Sequence, residues 1–164
     1  MSAAKLLTAL AAAAMITACS STPETAATAG GGEGAGAGTA GSGTVRPGSQ
    51  EDLRASVGDR VFFGSDRSTI AADQRPVLER QARWLQQYAQ NQVTIEGHAD
   101  ERGTREYNLA LSQRRGNSAR DVLVASGVSG SRIQVVSFGK DRPEALGSDE
   151  TAWAQNRRAV TVMR

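Results

Sequence analysis

The sequence is poor in cysteine and in aromatic residues, and its positive and negative charges nearly cancel. A single cysteine among 164 residues cannot form an intrachain disulfide, so a folded domain must be held by its apolar core. The formal net charge of +2 lacks the strong basic excess of nucleic-acid-binding proteins, and we expect no nucleic-acid partner. No apolar run reaches the roughly 20 residues of a membrane-spanning helix.

What is present at the start of the chain has the pattern of a secretory signal. Lys5 supplies a positive charge, and residues 6–16 are mostly apolar. The sequence Ile16-Thr17-Ala18-Cys19 that follows resembles a bacterial lipobox. We therefore predict a signal peptide over residues 1–18, with acyl chains on Cys19 that anchor the mature protein. The alternative is an ordinary signal peptide with an incidental cysteine.

The next segment is of low complexity and is rich in Gly, Ala, Ser and Thr up to residue 50, with an extreme Gly-rich stretch over residues 30–38. Such a segment has too little apolar surface to offset the entropy of ordering it. We predict that residues 19–50 comprise the lipidated cysteine and a flexible tether. A tether of this length has a root-mean-square span of about 30 Å.

A folded domain is predicted over residues 51–164, with strands and helices that alternate along the chain. The pattern predicts helices at 51–57, 73–90, 106–126 and 150–156 and strands at 60–63, 93–96, 133–138 and 158–163. We expect Asp73 to cap the second helix, Pro76 to lie in its first turn, and Gly127 to end the third helix.

This order predicts an α+β sandwich in which a four-stranded mixed sheet carries two main helices on one face. Strands joined by long helices should pair in parallel through right-handed crossovers. The last two strands are close enough in sequence to form an antiparallel pair. About 110 residues can bury an adequate core without disulfides.

Charged side chains are concentrated where the second strand meets the third helix, within residues 96–108. Asp66 and Asp100 each follow a strand, and if those strands are adjacent and parallel, both carboxylates emerge at one edge of the sheet. Asn108 and Arg115 lie two turns apart on one helix face, with Leu111 between them. A carboxylate facing a guanidinium suits a zwitterionic ligand, such as a free amino-acid centre.

Three other interpretations of these charges remain open. The acidic and basic groups could form an ion-paired cluster that caps loops and helix without binding anything. His98 and Asp100 invite a metal site, but two ligands without a further His or Cys make a poor zinc site, and we expect His98 to be a structural hydrogen-bonding residue. Two carboxylates also suggest a glycosidase, although nothing identifiable raises a carboxyl pKa.

Several motifs resemble those of the OmpA-like peptidoglycan-binding domain family, in the form carried by peptidoglycan-associated lipoproteins. The similarity extends over about residues 60–164. The matching segments are Val61–Asp66, Gly97–Thr104, Glu106–Asn108, Leu111–Arg115, Val136–Lys140 and Asn156–Val160. Two positions depart from the pattern, since Arg105 stands where proline is common and Ser65 where many relatives carry an aromatic residue.

The resemblance implies a site for meso-diaminopimelate, the diamino acid of the peptidoglycan stem peptide. Asp100 and Arg115 would take its distal amine and carboxylate. Together with Asn108 from the spacing argument, the expected ligand-binding residues are Asp66, Asp100, Arg102, Thr104, Asn108, Leu111 and Arg115.

The resemblance also implies a biological role. It suggests a non-enzymatic outer-membrane lipoprotein whose domain faces the periplasm, binds peptidoglycan and works with TolB and other Tol proteins in envelope integrity and in constriction at cell division. No metal and no cofactor are expected. A generic OmpA-like wall anchor without Tol coupling is the alternative, and a peptidoglycan-acting enzyme is a more remote one.

Overall fold

The computed structural model describes residues 45–164. The predicted signal peptide, the predicted lipidation at Cys19 and most of the predicted tether therefore lie outside the described residues. The elements are α1 (Gln50–Ser56), β1 (Arg60–Phe62), α2 (Arg75–Gln87), β2 (Val93–His98), α3 (Arg105–Ala125), a 3₁₀ turn (Gly130–Arg132), β3 (Ile133–Gly139), α4 (Glu150–Asn156) and β4 (Arg158–Met163). Within this part of the chain, every helix is too short or too polar to cross a membrane.

The four strands form one mixed sheet in the order β1-β4-β2-β3. The C-terminal strand β4 is antiparallel to both of its neighbours, whereas β2 and β3 are parallel and connected through α3. The predicted fold class, an α+β sandwich with a four-stranded mixed sheet, is confirmed.

Two predicted pairings within that sheet are wrong. β3 and β4 do not pair, and β1 and β2 are not adjacent, because β4 inserts between β1 and β2. The first four residues of β4 are all buried, so the strand is better shielded in the middle of the sheet than at its edge. β1 and β2 nevertheless run in the same direction, since each is antiparallel to β4. Their carboxyl ends therefore still meet at one edge.

The core lies between the sheet and the two long helices. It joins apolar side chains from every layer, including Leu53, Val61, Leu78, Leu85, Ile95, Leu123 and Ala159. Close packing of α3 on the sheet depends on two glycines. A Cβ atom at Gly97 would lie 2.0 Å from the carbonyl oxygen of Ser112, and one at Gly116 would lie 2.5 Å from a methyl of Val135.

The helix ends correct one predicted cap. α2 starts at Arg75, with Gln74 at the cap position, and the carboxylate of Asp73 accepts from the Gln74 side chain instead of a helix amide. Pro76 lies in the first turn of α2, as the sequence predicts. Gly127 follows α3 with φ of 94°, a left-handed conformation that glycine adopts without strain.

The chain enters the domain at the end remote from the carboxyl ends of β1 and β2. The amide of Gly48 donates to Asp52, its carbonyl accepts from Asn91, and its Cα packs so closely on Tyr88 that a Cβ there would lie 2.9 Å from the ring. Asn91 precedes β2 by two residues. Contacts with the domain thus begin slightly before residue 50.

Candidate ligand-binding site

A cavity of about 320 Å³ opens where the carboxyl ends of β1 and β2 meet the start of α3. Six of the seven residues predicted to bind a ligand line it, and Thr104 does not. The complete lining is Ser65, Asp66, Ala99, Asp100, Arg102, Gly103, Tyr107, Asn108, Leu111 and Arg115.

Arg115 lies at the base of this cavity and is completely buried. Its guanidinium donates to the backbone carbonyls of Arg67 (2.8 Å), His98 (2.9 Å) and Gly64 (3.2 Å), so it joins α3 to the ends of β1 and β2. Burial lowers the pKa of Arg115 to about 10 against the opposing charge of Asp100, so the side chain is charged at neutral pH. All three of these bonds within residues 45–164 go to carbonyls and none to a carboxylate, which leaves its charge available to an anion.

Asp100 is buried at the wall of the cavity and is already bonded to two arginines. Arg102 donates to both of its oxygens, from Nη2 at 2.7 Å and from Nε at 3.1 Å, and Arg157 lies 3.4 Å away. Although burial opposes ionisation, the bonds from Arg102 hold the pKa of Asp100 below its ordinary value, with help from Arg157. Asp100 is therefore ionised at neutral pH, and a ligand amine must share it with Arg102.

Arg102 covers Asp100 from the solvent side. Its guanidinium stacks on Trp153 at 4.2 Å from the ring centroid and also donates to the hydroxyl of Ser65 at 3.0 Å. Because its side chain is still 40% exposed, it can move when a ligand enters. Ser65, which occupies the place of an aromatic residue in the family pattern, here serves as a hydrogen-bond acceptor for that arginine.

Asp66 provides the second carboxylate of the cavity. It lies on the exposed turn after β1, with φ of 54°, and it accepts a hydrogen bond from the phenol of Tyr107. This bond raises the pKa of the Tyr107 phenol. No arginine or lysine among the described residues forms a salt bridge with Asp66, so its charge is less compensated than that of Asp100.

The remaining predicted residues lie at the N-cap or in the first two turns of α3. Asn108 is buried and donates to the carbonyl of Arg102 at 2.7 Å, which fixes the loop that carries Asp100. Leu111 gives the cavity an apolar wall. Thr104 is the N-cap of α3, where its hydroxyl accepts from the amide of Tyr107 at 3.2 Å. The structure thus gives Thr104 a capping role, and its contact with a ligand stays a prediction.

Residues 62–157 match the model of the OmpA family, which covers more than half of the chain. The chain belongs to the OmpA family. Among curated proteins, it is 54% identical to the peptidoglycan-associated lipoprotein of Mesorhizobium japonicum over 123 residues, which is 75% of this chain and 73% of that protein. It is 41% identical to the protein of the same name from Legionella pneumophila over 116 residues, or 71% of this chain and 66% of that protein.

Two solved structures share the fold of this chain. The crystal structure of the peptidoglycan-associated lipoprotein from Burkholderia pseudomallei is 42% identical, with a TM-score of 0.63 over 65% of this chain and 90% of that one. The C-terminal domain of MotB from Helicobacter pylori has a TM-score of 0.61 over 65% of this chain and 84% of that one, but at 20% identity it supports the fold alone. The resemblance to the lipoprotein form of the OmpA family is confirmed.

Tyr107 of the OmpA family motif takes part in the site although the sequence analysis did not predict it. Tyr107 lines the cavity and binds Asp66, although only its neighbour Asn108 was predicted to take part. The spacing in the sequence could have identified this residue. Tyr107 is three residues after the cap of α3 and seven after Asp100, so it lies in the first turn of the helix, which faces the turn after β1. Ser65, Ala99 and Gly103 were also missed as lining residues, and they contribute mainly shape.

The hydrogen-bonding role predicted for His98 is wrong. Its ring is buried and stacked on Phe138 at 5.5 Å, and neither ring nitrogen has a hydrogen-bond partner within the described part of the chain. The ring points away from the cavity, because Gly97 faces α3 and the next residue along the strand faces the opposite side of the sheet. No group of His, Cys, Asp and Glu with the arrangement of a metal site occurs among residues 45–164.

Proposed function

We propose that this protein binds peptidoglycan non-covalently through the meso-diaminopimelate of the stem peptide, as an outer-membrane lipoprotein whose domain faces the periplasm. The observation that carries the proposal is the fully buried, charged guanidinium of Arg115, whose hydrogen bonds all go to carbonyls, beneath two carboxylates at the wall of the same cavity. An unpaired buried charge is costly, and a ligand carboxylate would compensate it. The relatives' own names, peptidoglycan-associated lipoprotein, agree with this ligand.

The ligand's distal zwitterion matches the charges of the cavity. A guanidinium has five N–H groups, and three of those of Arg115 are committed to carbonyls, which leaves two for the ligand carboxylate. In our proposal the distal ammonium lies between Asp66 and Asp100, and the methylene chain lies along Leu111. Arg102 then gives up part of its bonding to Asp100, and its exposed side chain has room to turn toward solvent.

The first test replaces the carboxylates without changing their shape. We expect Asp100→Asn and Asp66→Asn each to weaken binding of free meso-diaminopimelate by about tenfold or more, since each removes a charge-assisted bond worth about 1.5–3 kcal/mol. Calorimetry with the ligand and co-sedimentation with purified sacculi would measure the loss. Asp121→Asn is a matched control, because Asp121 lies on α3 with its side chain 72% exposed.

The result that would contradict the proposal is unchanged co-sedimentation of both carboxylate variants. Arg115→Ala is less suitable as the first test, because it removes three bonds that hold the loops together. The same incubation separates binding from enzymatic action, since release of soluble muropeptides would favour the enzyme hypothesis over the binding one.

We propose in addition that the protein is a partner of TolB and of other Tol proteins in maintaining the envelope and constricting the outer membrane at division. The support for this finer role is the family resemblance. A pull-down from envelope extract, probed for TolB, tests it. Recovery of TolB that decreases when muropeptides are added would fit competition for one surface, whereas recovery of peptidoglycan fragments without TolB would favour a generic wall anchor.

A further inference from the structure

A second cavity lies beside the first one and shares Ala99 with it. It has a volume of about 240 Å³ and lies between the loop after β2 and the loop after β3. Its wall contains the side chains of Pro143, Ala145 and Leu146, and its charged groups are Glu101 and Lys140. Glu101 directly follows Asp100, so the two cavities flank a single turn of backbone.

The second cavity is held in shape by hydrogen bonds. The buried side chain of Asn156 accepts from the amides of Glu144 (2.8 Å) and Ala145 (3.1 Å) and donates to the carbonyl of Ala145 (2.8 Å). Lys140 donates to the carbonyls of Glu101 (3.1 Å) and Gly103 (2.8 Å), which ties the loop after β3 to the loop of the first cavity. The apolar wall is thus preorganised for contact with a ligand.

The polar groups of this cavity match one end of a peptide. Lys140 has three donors and uses two of them on carbonyls, so one N–H and the full positive charge remain for an anion. Glu101 accepts from the indole of Trp153 at 3.1 Å and has further capacity for a donor. Leu146 is 89% exposed at the rim and offers an apolar surface beside the charged groups.

We propose that this second cavity binds the alanine that follows diaminopimelate in the stem peptide, an inference that rests on the proposed function. The alanine's terminal carboxylate binds Lys140, its amide N–H donates to Glu101, and its methyl group packs on Ala145 and Leu146. The position of the second cavity supports this occupant, because both cavities are lined by Ala99 and diaminopimelate and the next residue are joined by one peptide bond. The domain therefore distinguishes stem peptides by length.

The test compares two soluble stem peptides on the full chain, a tripeptide ending in diaminopimelate and the tetrapeptide that carries one more alanine. We expect the tetrapeptide to bind about tenfold more tightly, since one more residue places its terminal carboxylate at Lys140 and adds one buried methyl group. In NMR titrations, the amides of residues 145–147 should shift with the tetrapeptide and not with the tripeptide.

Variants at Leu146 provide the charge test, because this side chain is exposed and can be changed without disturbing the fold. Leu146→Asp should bring the tetrapeptide's affinity down to that of the tripeptide, Leu146→Lys should raise it, and Leu146→Ser should lower it by less than Leu146→Asp. The tripeptide's affinity should change less than twofold in all three.

The outcomes separate this inference from the proposed function. If the wild-type protein binds both peptides equally, or if the Leu146 variants alter both equally, the second cavity does not hold the alanine. If amidation of the alanine's terminal carboxylate leaves the tetrapeptide's advantage unchanged, Lys140 does not bind that carboxylate, which also overturns the assignment. If neither peptide binds, the proposed function itself fails.

Discussion

A carboxylate attracts a cationic ligand more strongly when no arginine or lysine of its own protein neutralises its charge. At the residue scale, Asp66 and Asp100 differ in this respect. Asp100 accepts from Arg102 at both oxygens and lies near Arg157, whereas Asp66 accepts from the neutral phenol of Tyr107. Asp66 therefore carries the less compensated of the two negative charges.

The buried side chain of His98 is expected to make the free energy of unfolding depend on pH in the mildly acidic range. Burial, with the charge of Arg158 next, lowers the pKa of His98 to about 4 from 6.5. The unfolded chain therefore binds the proton first, and the free energy of unfolding falls as pH decreases from 6.5 to about 4, by about 3 kcal/mol in total. Urea titrations at several pH values would measure this decrease.

The matched variant for that measurement is His98→Phe, which keeps an aromatic ring against Phe138 and removes the titrating group. We expect its stability to be nearly flat from pH 6.5 to about pH 5, below which carboxylates with lowered pKa begin to protonate. The contribution of Asp100 overlaps little, because its lowered pKa places most of the loss of that contribution below pH 3.8. An equally steep decrease in the variant would assign the acid sensitivity to another group.

Substitutions at Thr104 can distinguish a role of this residue in capping α3 from a role in binding a ligand. Thr104→Ala removes the acceptor for the Tyr107 amide and should lower the free energy of unfolding by about 1 kcal/mol, whereas Thr104→Ser should retain most of it. Because Thr104 does not line the cavity, affinity for meso-diaminopimelate should change less than about threefold. A loss of affinity as large as that of Asp100→Asn would establish a direct ligand contact.

At the scale of elements, α3 organises the site. The helix α3 places Tyr107 and Asn108 at the opening of the cavity and Arg115 at its base. The distance between α3 and β2 therefore sets the depth of the cavity. Gly97 lets the backbones of β2 and α3 approach each other, and Gly116 leaves room on α3 for the Val135 side chain of β3.

Gly97→Ala is therefore expected to disturb both stability and binding. The added methyl group would lie 2.0 Å from a backbone oxygen that cannot move aside alone, so we expect a loss of at least about 2 kcal/mol in the free energy of unfolding. Gly130→Ala is the control, because the nearest atom there is the flexible tip of Arg120, at 2.9 Å. Equal stability of the two variants would show that α3 can shift without cost.

At the scale of the whole molecule, the domain has two opposite ends. The cavities lie at the carboxyl ends of β1, β2 and β3, and the chain enters near Asn91, before β2 begins. The first described residues therefore lie at the end of the domain opposite the cavities.

The predicted anchor can be tested independently of the site. Cys19→Ser should move the protein from the outer-membrane fraction to the soluble periplasmic fraction, because acyl chains supply the membrane affinity. Its co-sedimentation with sacculi should stay unchanged, since the cavity is in the folded domain. Ser20→Ala is the control. A Cys19→Ser protein that still fractionates with the outer membrane would contradict lipidation as the main anchor.

The sequence by itself determined the elements, the family and six of the ten residues that line the first cavity. Helical and strand periods are local properties, so predicted boundaries agree with the structure within a few residues for most elements, and β4 and α4 agree at both ends. The strand-to-helix motif also places Asp100 and Arg102 beside α3 through chain connectivity alone.

Only the tertiary structure decided how the charges of those residues are neutralised and in which order the strands lie in the sheet. Insertion of β4 between β1 and β2 depends on pairing across about 100 residues, for which local patterns carry no signal. The burial of Arg115, the arginines on Asp100 and the isolation of the His98 ring depend on packing from several elements at once. Sequence spacing brings charges together, but the free energy of each charge is set by the water and partners that the fold leaves around it.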